Sequence, residues 1–205
     1  YNEKGTNGLT NGVNCAILTK YNTVLHEQYG TGLDYVAMCP MAQEWQDALV
    51  DAVQRLRDCG VDGLWLDQMM EMPGNLCYNR SHGHSTPATA YAEGYDSLMK
   101  RIDEAMRSGG DDYFYCCEGV CDAYIQSIDI CGLMWARKPG SDATTAQQIT
   151  RYTMPCKFLG LSSAGAAIGS QAQYQHAWVL ADGMLCADQN PIIKRYAALA
   201  QKYSD

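Results

Sequence analysis

Two acidic residues end apolar segments that have the character of neighbouring buried strands. Asp67 closes the run Val61–Asp67, and Glu118 closes the run Tyr113–Glu118. A carboxylate ending so apolar a strand is unfavourable unless it faces a polar site or a partner. Two facing carboxyl groups, one ionised and one protonated, are the minimum requirement for cleaving a glycosidic bond. Adjacent strands about 4.8 Å apart would bring Asp67 and Glu118 close enough; the alternative is that both are rim residues bonded to helix N-termini.

Side chains around these acids are candidates for substrate contact. Trp65 shares a strand face with Asp67 because side chains alternate along a strand. Tyr78 lies in the following loop, and its ring can stack on a sugar while its hydroxyl bonds to it. Asp129 could orient the sugar or be a buried structural acid, which needs only one good partner. The predicted substrate-binding residues are Trp65, Gln68, Tyr78, His82, His84 and Asp129.

The pair His82-Gly83-His84 raises the alternative of a metal site. An H-x-H pair can chelate Zn²⁺, but metallohydrolase barrels add further His and Asp ligands to it. Only His26 and His176 are available besides, so we expect no metal ion and no cofactor. A contact with sugar hydroxyls or a plain exposed loop is favoured for this pair.

The three cysteines at 116, 117 and 121 show no C-x-x-C pairing with one another, and two of them fall in a strand. They are therefore not predicted to form a metal or redox cluster.

Short apolar runs alternate with longer helical stretches, which is typical of βα units around a parallel sheet. The clearest helix is Gln43–Asp58, whose apolar positions follow the helical period before Gly60. A second helix is predicted from Thr86-Pro87, as N-cap and first helical residue, with a core face at positions 91, 95, 98, 99, 102 and 106. Further strands are predicted at 35–39, 128–134, 158–162 and 184–186, and further helices at 145–153, 171–180 and 192–203.

This order of elements predicts an α/β fold, a (β/α)8 TIM barrel incomplete at its N-terminus. Residues 1–205 would form a single catalytic barrel domain that lacks the first one or two βα units. In such folds chemistry occurs at the C-terminal ends of the strands. Asp67 and Glu118 occupy that end, whereas Asp62 and the pair Asp111-Asp112 begin strands and are read as structural.

Composition narrows the class of partner. The net charge of -8 carries no basic cluster that could neutralise phosphates, which argues against nucleic acid. No apolar run approaches the roughly 20 residues that span a bilayer, so no membrane partner is expected. The ten cysteines favour free buried thiols in a reducing setting, and hence a cytoplasmic location, over a disulfide framework. The chain begins at Tyr1 and is interpreted as a fragment whose missing N-terminus could include a signal peptide.

The carboxylate segments resemble the nucleophile and acid/base strands of retaining barrel glycosidases. The resemblance is nearest to the endo-α-N-acetylgalactosaminidases and related gut-bacterial glycosidase-like proteins. It rests on four segments, Gly60–Gln68, the wider stretch 45–67, the loop His82–His84 and the strand end Cys117–Gly119. In that group an Asp ending one strand is the nucleophile and a Glu ending the next is the acid/base. The resemblance therefore assigns these roles to Asp67 and Glu118.

The function predicted from the sequence is hydrolysis of O-glycosidic bonds in an oligosaccharide or glycoconjugate by a retaining, two-carboxylate mechanism. Two alternatives remain open. One is a carbohydrate-binding barrel without turnover, and the other is a metal-dependent barrel hydrolase that uses His82 and His84. The oligomeric state is not predicted.

Overall fold

The structure is a computed structural model that describes most of the first two thirds of the chain. The described residues are 12–28, 32, 34–70, 74–108, 110, 113–119, 121, 125–133, 153, 158–161 and 185–186. They fall into two compact units. The first, called the helix unit, draws on Tyr1–Gly63, Met72–Tyr113 and Asp122–Ser127, and the second, called the sheet unit, draws on Leu64–Glu71, Phe114–Cys121 and Ile128–Asp205.

The helix unit begins with a 3₁₀ turn at Gly12–Cys15 and a small antiparallel ribbon. Strand β1 (His26–Glu27) pairs with β2 (Tyr35–Val36). The predicted barrel strand at 35–39 is wrong in its length and in its partner. The reason is that neighbours in the helix unit use the backbone of this segment: Ala37 N donates to Leu25 O at 3.0 Å, and Ala37 O accepts from Ile17 N at 2.8 Å.

Two long helices follow, α1 (Gln43–Asp58) and α2 (Ala90–Arg107). The predicted bounds of α1 are confirmed. The predicted start of α2 is wrong, because the amide of Thr89 donates to the carbonyl of Thr86 at 3.2 Å and closes a turn there. The first helical bond is that of Glu93 N to Thr89 O, 2.9 Å. The predicted core face of α2 is confirmed, since Tyr91, Leu98, Met99, Ile102 and Met106 are buried.

The two helices meet where Gly94 of α2 faces the backbone of Pro40. Gln46 is buried on α1, and its side-chain amide bonds to both sides of this contact. Its Nε2 donates to Pro40 O at 2.7 Å and to Gly94 O at 3.3 Å. Its Oε1 accepts from Arg101 Nη1 at 3.1 Å. Gln46 therefore ties α1 and α2 to the segment that carries Cys39, the residue before Pro40.

The sheet unit is a five-stranded sheet in sequential order. Its strands are β3 (Gly63–Met70), β4 (Phe114–Gly119), β5 (Ile130–Leu133), β6 (Phe158–Leu161) and β7 (Leu185–Cys186). The pairs β4–β5, β5–β6 and β6–β7 are parallel. The predicted strands are thus confirmed, with bounds shifted by a few residues. Consecutive residues Tyr115, Cys116 and Cys117 are all buried, as expected for a parallel strand covered on both faces.

The later helices predicted at 145–153, 171–180 and 192–203 lie outside the described residues, apart from Thr153. In the part of the chain that the structure describes, no helix is long and apolar enough to cross a membrane.

Candidate functional site

The two candidate carboxylates occupy neighbouring strands of the sheet unit. Asp67 is the fifth residue of β3, and Glu118 is the fifth residue of β4. The expectation that β3 ends at Asp67 is wrong, since the strand continues to Met70. Its continuation is explained by Met69, whose side chain is buried and keeps this stretch in the sheet. Glu118 lies one residue before the end of β4, close to the predicted strand end. The structure describes its position in the strand but not its side chain.

Asp67 is exposed, and its carboxylate accepts a hydrogen bond from a residue of the same strand. Trp65 Nε1–H donates to Asp67 Oδ1 at 3.3 Å, which is possible because residues two apart on a strand share a face. The indole of Trp65 is itself 48% exposed. An apolar ring and an exposed acid thus lie side by side on β3. Gln68 is the next residue of the strand, and its side chain lies outside the described part of the structure.

The register around Glu118 leaves space on the following strands. Glu118 is level with Gly132 of β5, and Gly132 is level with Gly160 of β6. Residues in register on parallel strands share one face of a sheet. Two strands in succession therefore carry glycine, which has no side chain, at the level of Glu118.

Asp129 lies just before β5, beside the beginning of β4. Its carboxylate Oδ2 accepts from Tyr115 N at 2.8 Å, and its own amide donates to Tyr115 O at 3.0 Å. Tyr115 precedes Glu118 by three strand positions, about 10 Å at 3.3 Å per residue. These two bonds favour the structural interpretation of Asp129 over its predicted contact with substrate.

The remaining predicted substrate residues, Tyr78, His82 and His84, belong to the helix unit. Tyr78 is 41% exposed and its amide donates to Leu18 O at 2.8 Å. His82 is buried, and both of its ring nitrogens have partners inside the protein. Its Nδ1 lies 3.5 Å from Cys77 Sγ, and its Nε2 lies 2.7 Å from Asn14 O. His82 is therefore not placed as a donor to sugar hydroxyls.

His82 and His84 instead meet two cysteines that the sequence reasoning missed. The ligand atoms of Cys39, Cys77, His82 and His84 all lie within 4.8 Å of one another. Three of the four come from one short segment with the spacing C-x4-H-x-H, and this signal was available in the sequence. Cys39 was not detectable in this way, because it joins the group from 38 positions earlier, across the core of the helix unit.

Cys39, Cys77 and His82 shift one another's pKa values. A hydrogen bond from the Cys39 thiol lowers the pKa of Cys77 to about 3, although burial acts the other way and His82 assists. The same bond, together with burial, raises the pKa of Cys39 far above its ordinary value. Burial lowers the pKa of His82, but its bonds to Cys77 and Asn14 outweigh that and leave it raised. The arrangement corresponds to one thiolate held between a thiol and an imidazole ring.

His84 contributes a nitrogen with no partner. Its Nε2 is buried and lacks a hydrogen bond, which among the described side-chain nitrogens and oxygens is true of this atom alone. The rings of His82 and His84 lie edge to face with centroids 6.3 Å apart. Gly83 between them has φ of 81°, a left-handed conformation that residues with a side chain rarely adopt. This turn lets two histidines separated by one residue approach the same point.

Comparison with solved structures finds glycoside hydrolases. An alpha-N-acetylgalactosaminidase from Bifidobacterium bifidum in complex with GalNAc has a TM-score of 0.68 and 16% identity, over 94% of this chain and 32% of that chain. An alpha-galactosidase from Thermus thermophilus in complex with stachyose has a TM-score of 0.65 and 13% identity, over 96% of this chain and 46% of that chain. The chain thus spans less than half the length of either enzyme, and shares with them a glycosidase-like fold.

None of the curated proteins matches the chain. A family model described as a domain of unknown function, DUF6259, matches residues 3–152. Since this match covers most of the 205 residues, the chain belongs to the DUF6259 family.

Proposed function

We propose that the chain carries the catalytic carboxylates of a retaining glycoside hydrolase with a (β/α)8 barrel. The observation that carries the proposal is that Asp67 and Glu118 lie on adjacent strands of one sheet, β3 and β4. Sequential strand order with three parallel pairs supports a barrel built from βα units. The fold shared with two glycosidases supports the same chemistry.

In the proposed reaction Asp67 attacks the anomeric carbon, and the bond from that carbon to the leaving oxygen breaks. Glu118 gives its proton to the leaving oxygen, so that the alcohol departs neutral. Water then attacks the glycosyl ester, Glu118 takes a proton from it, and the ester bond to Asp67 breaks. The configuration at the anomeric carbon is retained because it inverts twice.

Trp65 has two tasks in this proposal. Its indole N–H donates to Asp67 Oδ1 at 3.3 Å, which orients the carboxylate. Its exposed ring offers an apolar face against which a sugar can pack. The glycines level with Glu118, Gly132 and Gly160, add no side chain that would compete with that sugar.

The substrate class to test first is an α-linked galactose or N-acetylgalactosamine. The names of the two similar enzymes, an alpha-N-acetylgalactosaminidase and an alpha-galactosidase, support this choice.

The experiment is hydrolysis of aryl α-galactoside and aryl α-N-acetylgalactosaminide by the full chain, with the configuration of the first product followed by NMR. We expect Asp67→Asn to abolish nearly all turnover, and Glu118→Gln to reduce it by about 10²–10⁴-fold, the usual contribution of general acid–base catalysis. The matched control is Asp62→Asn, an exposed acid just before β3, which should retain activity.

Full activity in Asp67→Asn would refute the nucleophile assignment. Binding of oligosaccharide without any release of sugar, in a chain whose circular dichroism shows it folded, would favour the carbohydrate-binding barrel instead.

A further inference from the structure

We propose that Cys39, Cys77, His82 and His84 bind one Zn²⁺ ion in a closed, structural site. The four ligand atoms already lie within 4.8 Å of one another. Two thiolates and two imidazoles form one of the common ligand sets of structural zinc.

The distances fit a tetrahedron. With Zn–S of about 2.3 Å and Zn–N of about 2.0–2.1 Å, the sulfur-to-nitrogen edge of a tetrahedral site is about 3.5 Å. The separation of Cys77 Sγ and His82 Nδ1 is 3.5 Å. The longest separation in the group, 4.8 Å, exceeds a tetrahedral edge by about 1 Å.

The hydrogen bonds around His82 orient its ring for metal binding. His82 Nε2 lies 2.7 Å from Asn14 O, which can only accept, and 3.0 Å from Asn79 Nδ2, which can only donate. The shorter contact, with the carbonyl, favours a hydrogen on Nε2. The other nitrogen, Nδ1, faces Cys77 and can present its lone pair to an ion. Histidine ligands of metals usually donate their second N–H to a backbone carbonyl or a carboxylate in this way.

The unpartnered nitrogen of His84 is a second, independent observation. A buried polar atom without a partner costs about 1–3 kcal/mol in general, and Nε2 of His84 is such an atom. An ion at the centre of the group would give this nitrogen a bond. It would also remove the need for a proton shared between the two sulfurs.

Burial and charge agree with a structural role. Cys39 and Cys77 are fully buried, and His82 is 7% exposed. Two thiolates neutralise the charge of Zn²⁺, so the filled site adds no net charge to the interior. With four protein ligands no position is left for water, whereas catalytic zinc keeps one open. The proposal therefore differs from a metal-dependent hydrolase based on the two histidines, and it is independent of the proposed glycosidase chemistry.

The ion would join segments that are distant in sequence. Cys39 lies between β2 and α1, and the other three ligands lie in the segment before α2. Both cysteines belong to the core of the helix unit, which includes Ile17, Ala42 and Tyr91. We expect removal of the ion to loosen the docking of these segments rather than to act on the carboxylates of the sheet unit.

The first test is the metal content of the full chain purified with zinc, measured by elemental analysis. We expect one zinc per chain in the unaltered protein and in Cys59→Ser, whose exposed thiol is a matched control. Cys15→Ala serves as a control for a buried cysteine of the same core. In Cys39→Ser and in His84→Ala we expect the zinc to be lost to a chelator that leaves the unaltered chain loaded.

The second measurement needs no variant, so it remains decisive if the altered chains fail to fold. Cobalt added to the metal-free chain should give the intense visible bands of a tetrahedral ion and a near-ultraviolet band from thiolate to cobalt. Absence of these bands, a zinc content near zero, or a disulfide between Cys39 and Cys77 in the freshly purified chain would overturn the proposal. Zinc retained at full affinity by Cys39→Ser would do the same.

Discussion

The contact between Gly94 and Pro40 allows a sharp prediction about stability. A Cβ atom at position 94 would lie 2.6 Å from Pro40 C and 2.7 Å from Met41 N, both backbone atoms. Non-bonded carbon atoms pack at about 3.5–4.0 Å, so Gly94→Ala must push α2 and this backbone apart by about 1 Å. That shift also stretches the bonds from Gln46 Nε2 to Pro40 O and Gly94 O, now 2.7 and 3.3 Å.

The sign of the effect follows from two opposing contributions. Replacing glycine by alanine inside a helix favours folding by about 1 kcal/mol. Overpacking of a well-packed interior costs about 1–3 kcal/mol, and the upper part of that range, about 2–3 kcal/mol, applies here because the clashing atoms are backbone. We therefore expect Gly94→Ala to lower the free energy of unfolding by about 1–2 kcal/mol. For a chain of this size that is a fall in Tm of about 2–8 °C.

The assay is urea unfolding followed by circular dichroism, with Ala92→Gly as the control. Ala92 is exposed on the same helix, so this reverse substitution should cost only the helix propensity of about 1 kcal/mol. A Gly94→Ala chain as stable as the unaltered protein, or more stable, would refute the close approach of α2 to Pro40.

Two further predictions concern hydrogen bonds. Gln46→Ala removes the donor to Pro40 O and the acceptor for Arg101, and should cost about 2–3 kcal/mol in urea unfolding because buried groups lose their partners. The exposed Gln43→Ala on the same helix should change stability by less than about 0.5 kcal/mol. Trp65→Phe keeps the ring but removes the donor to Asp67, and should lower kcat/KM on the aryl glycoside by about tenfold, equivalent to about 1.4 kcal/mol. Unchanged kinetics in that variant would show that the indole N–H does not assist Asp67.

The parts of the fold that the sequence predicts well are those set by local patterns. Helix α1 was predicted to the residue because its apolar period and the glycine after it agree. The start of α2 was missed because the side chains of Glu93 and Thr89 accept from the amides of Ser85 and Thr86, and these bonds compete with an N-cap at Thr86. Strand β1 was missed because two residues, His26 and Glu27, are too few to show the alternation of a strand.

In the candidate site, too, the features set by local sequence patterns were predicted, and those set by packing between segments were not. The strands that carry Asp67 and Glu118 follow from their short apolar runs. The shared face of Trp65 and Asp67 follows from alternation along a strand. The role of Asp129 beside Tyr115 depends on register between strands, which the sequence does not display. The histidines of the cluster were noticed, but their partner Cys39 is brought to them only by the packing of the helix-unit core.

The central claim is that Asp67 and Glu118 act on one substrate, and the most direct test is the separation of their carboxyl groups in an experimental structure of the full chain with a bound sugar. A retaining glycosidase predicts about 5–5.5 Å with the anomeric carbon between the two groups, whereas about 6.5–9.5 Å would indicate an inverting one. Carboxyl groups on opposite faces of the sheet would contradict the account.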